Sequence, residues 1–175
     1  MFFIRWLNGA KAIVVRDPDT GTEKELYRAY SPESVSHLAV SPDGQHLAFF
    51  WRDSKNGTAA LKVILSQDGE MHELSKLPSP ELSNYGQSVF EMAWTPDSRH
   101  LIYTSTIAGQ NRFEFWRISA EGGEPEILGL SMEGLLPYGL SVHPDGRGIA
   151  FTAGTPPREE VWVIENFLPA LNNGD

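Results

Sequence analysis

Cysteine is absent from the 175-residue chain. That excludes disulfides, thiolate metal sites and a cysteine nucleophile, yet leaves the compartment unassigned, because cytoplasmic and periplasmic proteins alike can lack it. Basic residues are few: 14 Lys and Arg stand against 23 Asp and Glu, a formal net charge of −9. A field of that sign repels nucleic-acid phosphate and anionic lipid, whose binding relies on Lys and Arg displacing counterions, so neither a nucleic-acid partner nor membrane insertion is expected. The acidic residues form no long like-charged run, which makes them a spread, solvated surface. No stretch approaches the roughly 18 apolar residues that cross a bilayer. The start, MFFIRWLNGAK, is interrupted by Arg5 and turns at Asn8-Gly9, unlike a signal peptide with its basic lead and longer apolar core. Amphipathic helical spacing sustained over a dozen residues is also missing.

What the chain does have is turn chemistry and repetition. Sixteen Gly and 12 Pro exceed the needs of a helical bundle. AVSPDGQHLAFF at Ala39–Phe50, AWTPDSRHLIYT at Ala93–Thr104 and SVHPDGRGIAFT at Ser141–Thr152 spell one phrase three times. Gly44, Ser98 and Gly146 close the three turns, 54 and 48 positions apart. Pro presets φ at the second turn position, Asp suits the third, and Gly takes φ > 0 at the fourth. Ser98 lacks that freedom, so the middle turn must either strain Ser98 or change geometry.

Short apolar runs flank each turn and read as strands. Val35–Val40, Val89–Trp94 and Tyr138–Val142 precede the turns; His46–Trp51, His100–Ser105 and Gly148–Thr152 follow them. A third strand recurs at Ala60–Leu65, Phe113–Ile118 and Glu160–Glu165, and a more polar fourth at Met71–Leu74 and Pro125–Leu128. A polar outermost strand suits an exposed sheet edge. At the N-terminus, Phe2–Ile4, Ala12–Arg16 and Glu23–Arg28 align as second, third and fourth strands, so the chain reads as starting inside a unit. The expected inventory is three, four, four and three strands. Radial repetition of four-stranded antiparallel sheets is a β-propeller. The fold class is therefore all-β, with about three and a half to four blades at residues 1–30, 31–77, 85–130 and 135–168, and a tail at 169–175.

The motif x-P-D-G-x-x-(I/L)-(A/L)-(F/Y), carried by Ser41–Phe49, Thr95–Tyr103 and His143–Phe151, resembles the TolB-type, WD-repeat-like bacterial propellers. The middle copy departs from it at Ser98 and Ile102. The resemblance covers nearly the whole chain and implies the propeller fold. Blades of this type occur in Tol-system proteins, in gating domains of prolyl-oligopeptidase-like proteases, and as C-terminal sensors of kinases and regulators; VWVIENFLP resembles the end of the last group. Complete rings of the family have six or more blades, so the chain resembles the C-terminal portion of a longer propeller.

No catalytic residue is assigned. Ser88, Ser131 and Ser141 lie in YGQSVFE, GLSMEG and GLSVHP, none of them a nucleophile elbow. His37, His46, His72, His100 and His143 are too far apart in sequence for a metal pair, and no phosphate cradle occurs, so no metal or cofactor is expected. Asp43, Asp97 and Asp145 recur at one repeat position, which suits hydrogen bonding to the turn backbone. Trp51, Trp94, Trp116 and Trp162, with Phe49, Tyr103 and Phe151, are expected to wedge between blades. Tyr85, Gln87, Pro137 and Tyr138 precede inner strands and are the candidate rim contacts. The function expected is a non-enzymatic platform for a protein or peptide ligand, the alternative an accessory, gating or sensor propeller of a longer hydrolase, kinase or transcriptional regulator. Two uncovered end sheets also suggest self-association into a ring of about eight blades, with tight four-bladed closure within one chain as its rival.

Overall fold

Each Pro-Asp turn returns the chain as an antiparallel neighbour of the strand before it. In the computed structural model, which describes residues 1–77, 89–106, 112–134, 136–155 and 158–165, every regular element among the described residues is a strand. The first sheet contains β1 (Phe2–Leu7), β2 (Ala10–Arg16) and β3 (Glu23–Tyr30). The second contains β4 (Glu33–Val40), β5 (His46–Asp53), β6 (Thr58–Leu65) and β7 (Met71–Leu77). The third contains β8 (Val89–Trp94), β9 (His100–Thr106), β10 (Arg112–Ser119) and β11 (Glu126–Glu133), and the last β12 (Leu136–Val142), β13 (Gly148–Thr155) and β14 (Arg158–Glu165). Within each sheet the strands pair antiparallel in chain order, giving sheets of three, four, four and three strands.

Alternation along the strands sends successive side chains to opposite faces, so a sheet between two others needs apolar residues on both. β5 shows this: Leu47 and Phe49 join Ile13, Val35 and Ile64 between the first and second sheets. Ala48 and Phe50 of the same strand join Leu61, Trp94, Leu101 and Tyr103 between the second and third. A third layer, with Ile102, Phe115, Ile149 and Phe151, fills the gap between the third and last sheets. The Phe115 and Phe151 rings lie 4.9 Å apart at 48°. Each large side chain withdrawn from water in these layers contributes about 1.5–3 kcal/mol. Trp94 also donates its indole N–H to the Ala39 carbonyl of the neighbouring sheet at 2.8 Å. Burial pushes the Tyr103 phenol up to about 12.

The expected aromatic wedges hold for Phe49, Tyr103, Phe151 and Trp94, all buried, and in part for Trp51 and Trp116. Trp162 differs, being 46% exposed. It stands on β14, the outermost strand of the last sheet among the described residues.

Neighbouring sheets approach most closely through their inner strands, β4 against β8 and β8 against β12, as blades around an axis do. Strand β1, which has no inner neighbour in its own sheet among the described residues, lies against β4. The first and last sheets make no extended contact among the described residues, so tight four-bladed closure is not the arrangement they adopt.

Candidate binding surfaces

Of the four rim residues read from the sequence, Tyr85 and Gln87 lie outside the described residues. Pro137 and Tyr138 stand within β12, opposite Ala153 and Thr152, rather than ahead of it. Alternation separates the pair. Pro137 is buried on the packed side with Ala153, while Tyr138 is 43% exposed on the other face. Pro137 is therefore closed to a partner, and Tyr138 belongs to an open sheet face instead of a channel mouth.

The turn carboxylates are occupied locally. Asp43 Oδ1 accepts from Ser41 Oγ at 2.5 Å and from the Gln45 N–H at 2.9 Å. Asp97 does the same with Thr95 Oγ1 and the Arg99 N–H. Asp145 accepts from the Arg147 N–H at 2.8 Å and lies 2.8 Å from His143 Nδ1. These bonds, led by Ser41 for Asp43 and by the Arg147 amide for Asp145, hold both carboxyls below the ordinary carboxylate value. The turns also touch one another. Ser98 keeps the left-handed conformation its position demands, with φ 60, and its Oγ accepts the Asp43 N–H at 3.1 Å.

A second row was not evident from the sequence. Four residues before the first residue of each turn stand His37, Glu91 and Gly139, at irregularities in β4, β8 and β12. Gly139 and His37 both have positive φ, 61 and 53. His37 lacks glycine's freedom and holds that conformation with its Nδ1 2.9 Å from Ser36 Oγ and its ring edge-on to Phe50. Burial pushes its imidazole below the ordinary value, Glu91 acts in the opposite sense, and Lys11 adds to the lowering. Gly139 was the one visible sign of this row, since an isolated Gly inside a strand marks a bulge.

The two ends of the stack are unlike. On the outer face of the first sheet, Ala12 and Val14 are 0% and 2% exposed although no sheet among the described residues covers them. Cross-strand neighbours roof them: Arg5 and Arg28 flank Ala12, and Phe3 and Glu25 flank Val14. Arg5 pairs with Glu23 at 2.6 Å and Arg28 with Glu25 at 2.5 Å. Among the described residues the outer face of the last sheet has no such roof. Tyr138, Thr152 and Val161 form one cross-strand row, Ser141, Ala150 and Val163 the next, and neither row carries a charge. Val161 and Val163 are 76% and 64% exposed. A concavity of about 460 Å³ at the hairpin end of this face is lined by Ser141, Ala150, Val163 and Glu165 with His143 and Asp145.

For chemistry these surfaces offer little convergence. Among the described residues Ser141 Oγ reaches only the Ala150 carbonyl, at 3.5 Å, and Ser131 stands exposed on β11. Among the described residues no three His, Asp or Glu side chains gather as a metal-holding group.

No protein-family model and no curated protein sequence matches the chain. Solved structures do. TolB from Acinetobacter baumannii superposes with a TM-score of 0.68 at 15% identity, covering 94% of this chain and 36% of that one. Dipeptidyl peptidase 4 of Porphyromonas gingivalis gives 0.63 at 16%, covering 95% and 30%. A structure of the nidogen/laminin complex gives 0.61 at 14%, covering 94% and 56%. The chain thus spans between roughly a third and just over half of these neighbours. With four stacked antiparallel sheets, inner strands against inner strands and these neighbours in three dimensions, the chain is a partial β-propeller of TolB-like fold.

Proposed function

We propose that the chain is a non-enzymatic protein- or peptide-binding platform. The observation that carries this reading is the outer face of the last sheet, where Tyr138, Val161 and Val163 stand uncharged and exposed side by side. Contiguous apolar surface of this kind marks an interaction site, and in a stack of sheets a further layer is what such a face accepts. A neighbour whose structure is a protein–protein complex, nidogen/laminin, is consistent with the reading. The partner is a protein, and a second copy of the chain is the simplest one.

The test compares proteins retained on the immobilised chain with those retained on the Val161→Asp/Val163→Asp variant. A set held by the parent and lost by the variant is expected. Turnover of generic peptide or ester substrates, together with labelling by a serine-directed probe, would overturn the reading.

A second reading, an accessory propeller of a longer hydrolase, kinase or regulator, is favoured by the small share of dipeptidyl peptidase 4 that the chain spans, 30%. An open reading frame that continues upstream of the Met1 codon into a catalytic or DNA-binding domain would support it; an in-frame stop immediately upstream would count against it.

A further inference from the structure

The gaps between neighbouring Pro-Asp turns can be compared position by position. Trp94 and Val142 each stand immediately before the first residue of a turn, and Ser98 and Gly146 each close one. Between the turns of the second and third sheets, the Trp94 ring lies 5.8 Å from that of His46, and Ser98 Oγ accepts the Asp43 N–H. Trp94 and Ser98 are both buried there. Between the turns of the third and last sheets, Val142 stands in place of the indole and Gly146 in place of the hydroxyl. His100 holds the repeat position of His46, yet no ring is stacked on it among the described residues. The Asp97 N–H, counterpart of the bonded Asp43 N–H, likewise has no partner among them. A cavity of about 90 Å³ opens at this gap, lined by Pro96, Asp97, His100 and Arg117 on one side and by Asp145 and Gly146 on the other. Both walls belong to complete hairpins.

The neighbouring gap shows what such a space accepts: a planar ring laid on the histidine, its N–H bonded to an acceptor as the Trp94 indole is bonded to the Ala39 carbonyl. The volume suits a single aromatic side chain, far below the ~300 Å³ at which sites for drug-sized ligands begin. His100 offers a neutral ring for the contact, since burial, and then Arg117, push its imidazole below the ordinary value while Asp97 acts in the opposite sense. Arg117 is itself neutralised by Glu126, to which its Nη2 donates at 2.5 Å. Acceptors are present as well. Asp97 and Asp145 each use one oxygen on their own turn, and the other oxygen of each has no partner among the described residues. The turns at this end of the sheets, 17–22, 41–45, 66–70, 95–99, 120–125 and 143–147, hold nine Asp and Glu against two Arg, so most of the net charge of −9 gathers here. That field disfavours an acidic segment.

We propose that the cleft between the turns of the third and last sheets receives a tryptophan side chain of a partner protein, its indole stacked on His100 and its N–H donated to the free carboxylate oxygen of Asp97 or Asp145. The residues around that tryptophan are neutral or basic. This deepens the platform reading and rests on it, but the surface is distinct from the outer face of the last sheet.

The probe is N-acetyl-L-tryptophanamide, and the readout is the carbon-bound ring protons of the histidines in the full chain, with His100 assigned by the signal that His100→Gln lacks. The expected result is a saturable upfield shift of the His100 signals that leaves His37 and His72 unmoved. N-acetyl-L-phenylalaninamide, whose ring carries no donor, should bind about tenfold more weakly, the loss of one hydrogen bond to a charged acceptor. Two variants close the cleft in the manner of its neighbour. Gly146→Ser supplies the missing hydroxyl, at a φ of 71 close to the 60 that Ser98 adopts, where a Cβ meets only Pro96 Cδ at 3.9 Å. Val142→Trp supplies the missing indole and should displace the His100 signals without any probe. Both should abolish the response to the probe with an unaltered circular dichroism spectrum; should Val142→Trp not fold, Gly146→Ser decides alone. No shift at His100, an undiminished shift in Gly146→Ser, or an equal shift with N-acetyl-L-argininamide overturns the proposal. Immobilised, the same chains separate the two readings. A protein held by the parent and lost by Gly146→Ser supports the cleft, and one held equally by both sinks the cleft while sparing the platform. A parent that retains no protein sinks the platform, and with it the partner assigned to the cleft.

Discussion

At Gly44, φ is 72 and a Cβ would meet nothing within 4 Å. The cost of Gly44→Ala is therefore conformational alone, about 1 kcal/mol for an L-residue held left-handed, and chemical denaturation should show it as a lower midpoint with an unchanged slope. Ser98 bears the same geometry, with its hydroxyl bonded to the next turn as partial compensation. These turns were readable in advance because Pro, Asp and Gly each dictate a dihedral or a local bond. His37 was not readable, since nothing in SVSHLAV announces a positive φ. Its consequence is a pH dependence. The folded protein favours the neutral ring, so as pH falls through 6.5 the unfolded chain takes up a proton that the folded one refuses. Stability is thus present above that pH and declines below it, toward the lowered folded value. His37→Asn, which tolerates the same backbone, should flatten the decline relative to the parent in denaturant titrations on either side of pH 6.5.

Among the strands, existence and order were legible because apolar alternation is strong wherever both faces are covered. The outermost strands were read too short: Met71–Leu74 extends to Leu77, and the strand read as Pro125–Leu128 runs from Glu126 to Glu133. Apart from Met71 and Ile127 their exposed positions carry polar residues or Gly, and backbone pairing to β6 and β10, not hydrophobicity, continues them. Pro137 and Tyr138 were read as one pair, but they face opposite sides of β12, Pro137 buried and Tyr138 exposed, because a one-residue shift along a strand decides which face a side chain meets. Element by element, β1 offers a sharp contrast. Met1 and Arg16 exchange both backbone bonds, so alternation turns the Arg5 N–H toward β2 and the Trp6 N–H away from it. Trp6→Pro therefore spares the ladder to β2, but Arg5→Pro removes an inward N–H and breaks the Glu23 ion pair, so it should unfold the first sheet and lower the melting temperature well below that of Trp6→Pro. Between sheets, Trp94→Phe removes the bond to the Ala39 carbonyl and should cost about 1 kcal/mol in equilibrium denaturation.

For the molecule as a whole, three separate apolar layers rather than one core make stability a chain of neighbour contacts. The repeat period disclosed that stacking. The asymmetry of its ends was hidden, because it depends on partners such as Arg5 and Glu23 that only the strand register brings together. Burying the roofed first face would strip water from its ion pairs, a cost that the two uncharged cross-strand rows of the last face, Tyr138–Thr152–Val161 and Ser141–Ala150–Val163, do not carry. Association is therefore expected between two last sheets, in place of the head-to-tail ring that the strand count suggested. Sedimentation velocity across the micromolar range, on the parent and on Val163→Asp and Tyr30→Asp, tests this most directly. The predicted result is a parent that associates with rising concentration, a Val163→Asp variant that stays monomeric with an unchanged circular dichroism spectrum, and a Tyr30→Asp variant, altered only on the roofed first sheet, that behaves like the parent. A parent monomeric throughout and indifferent to Val163→Asp would contradict it.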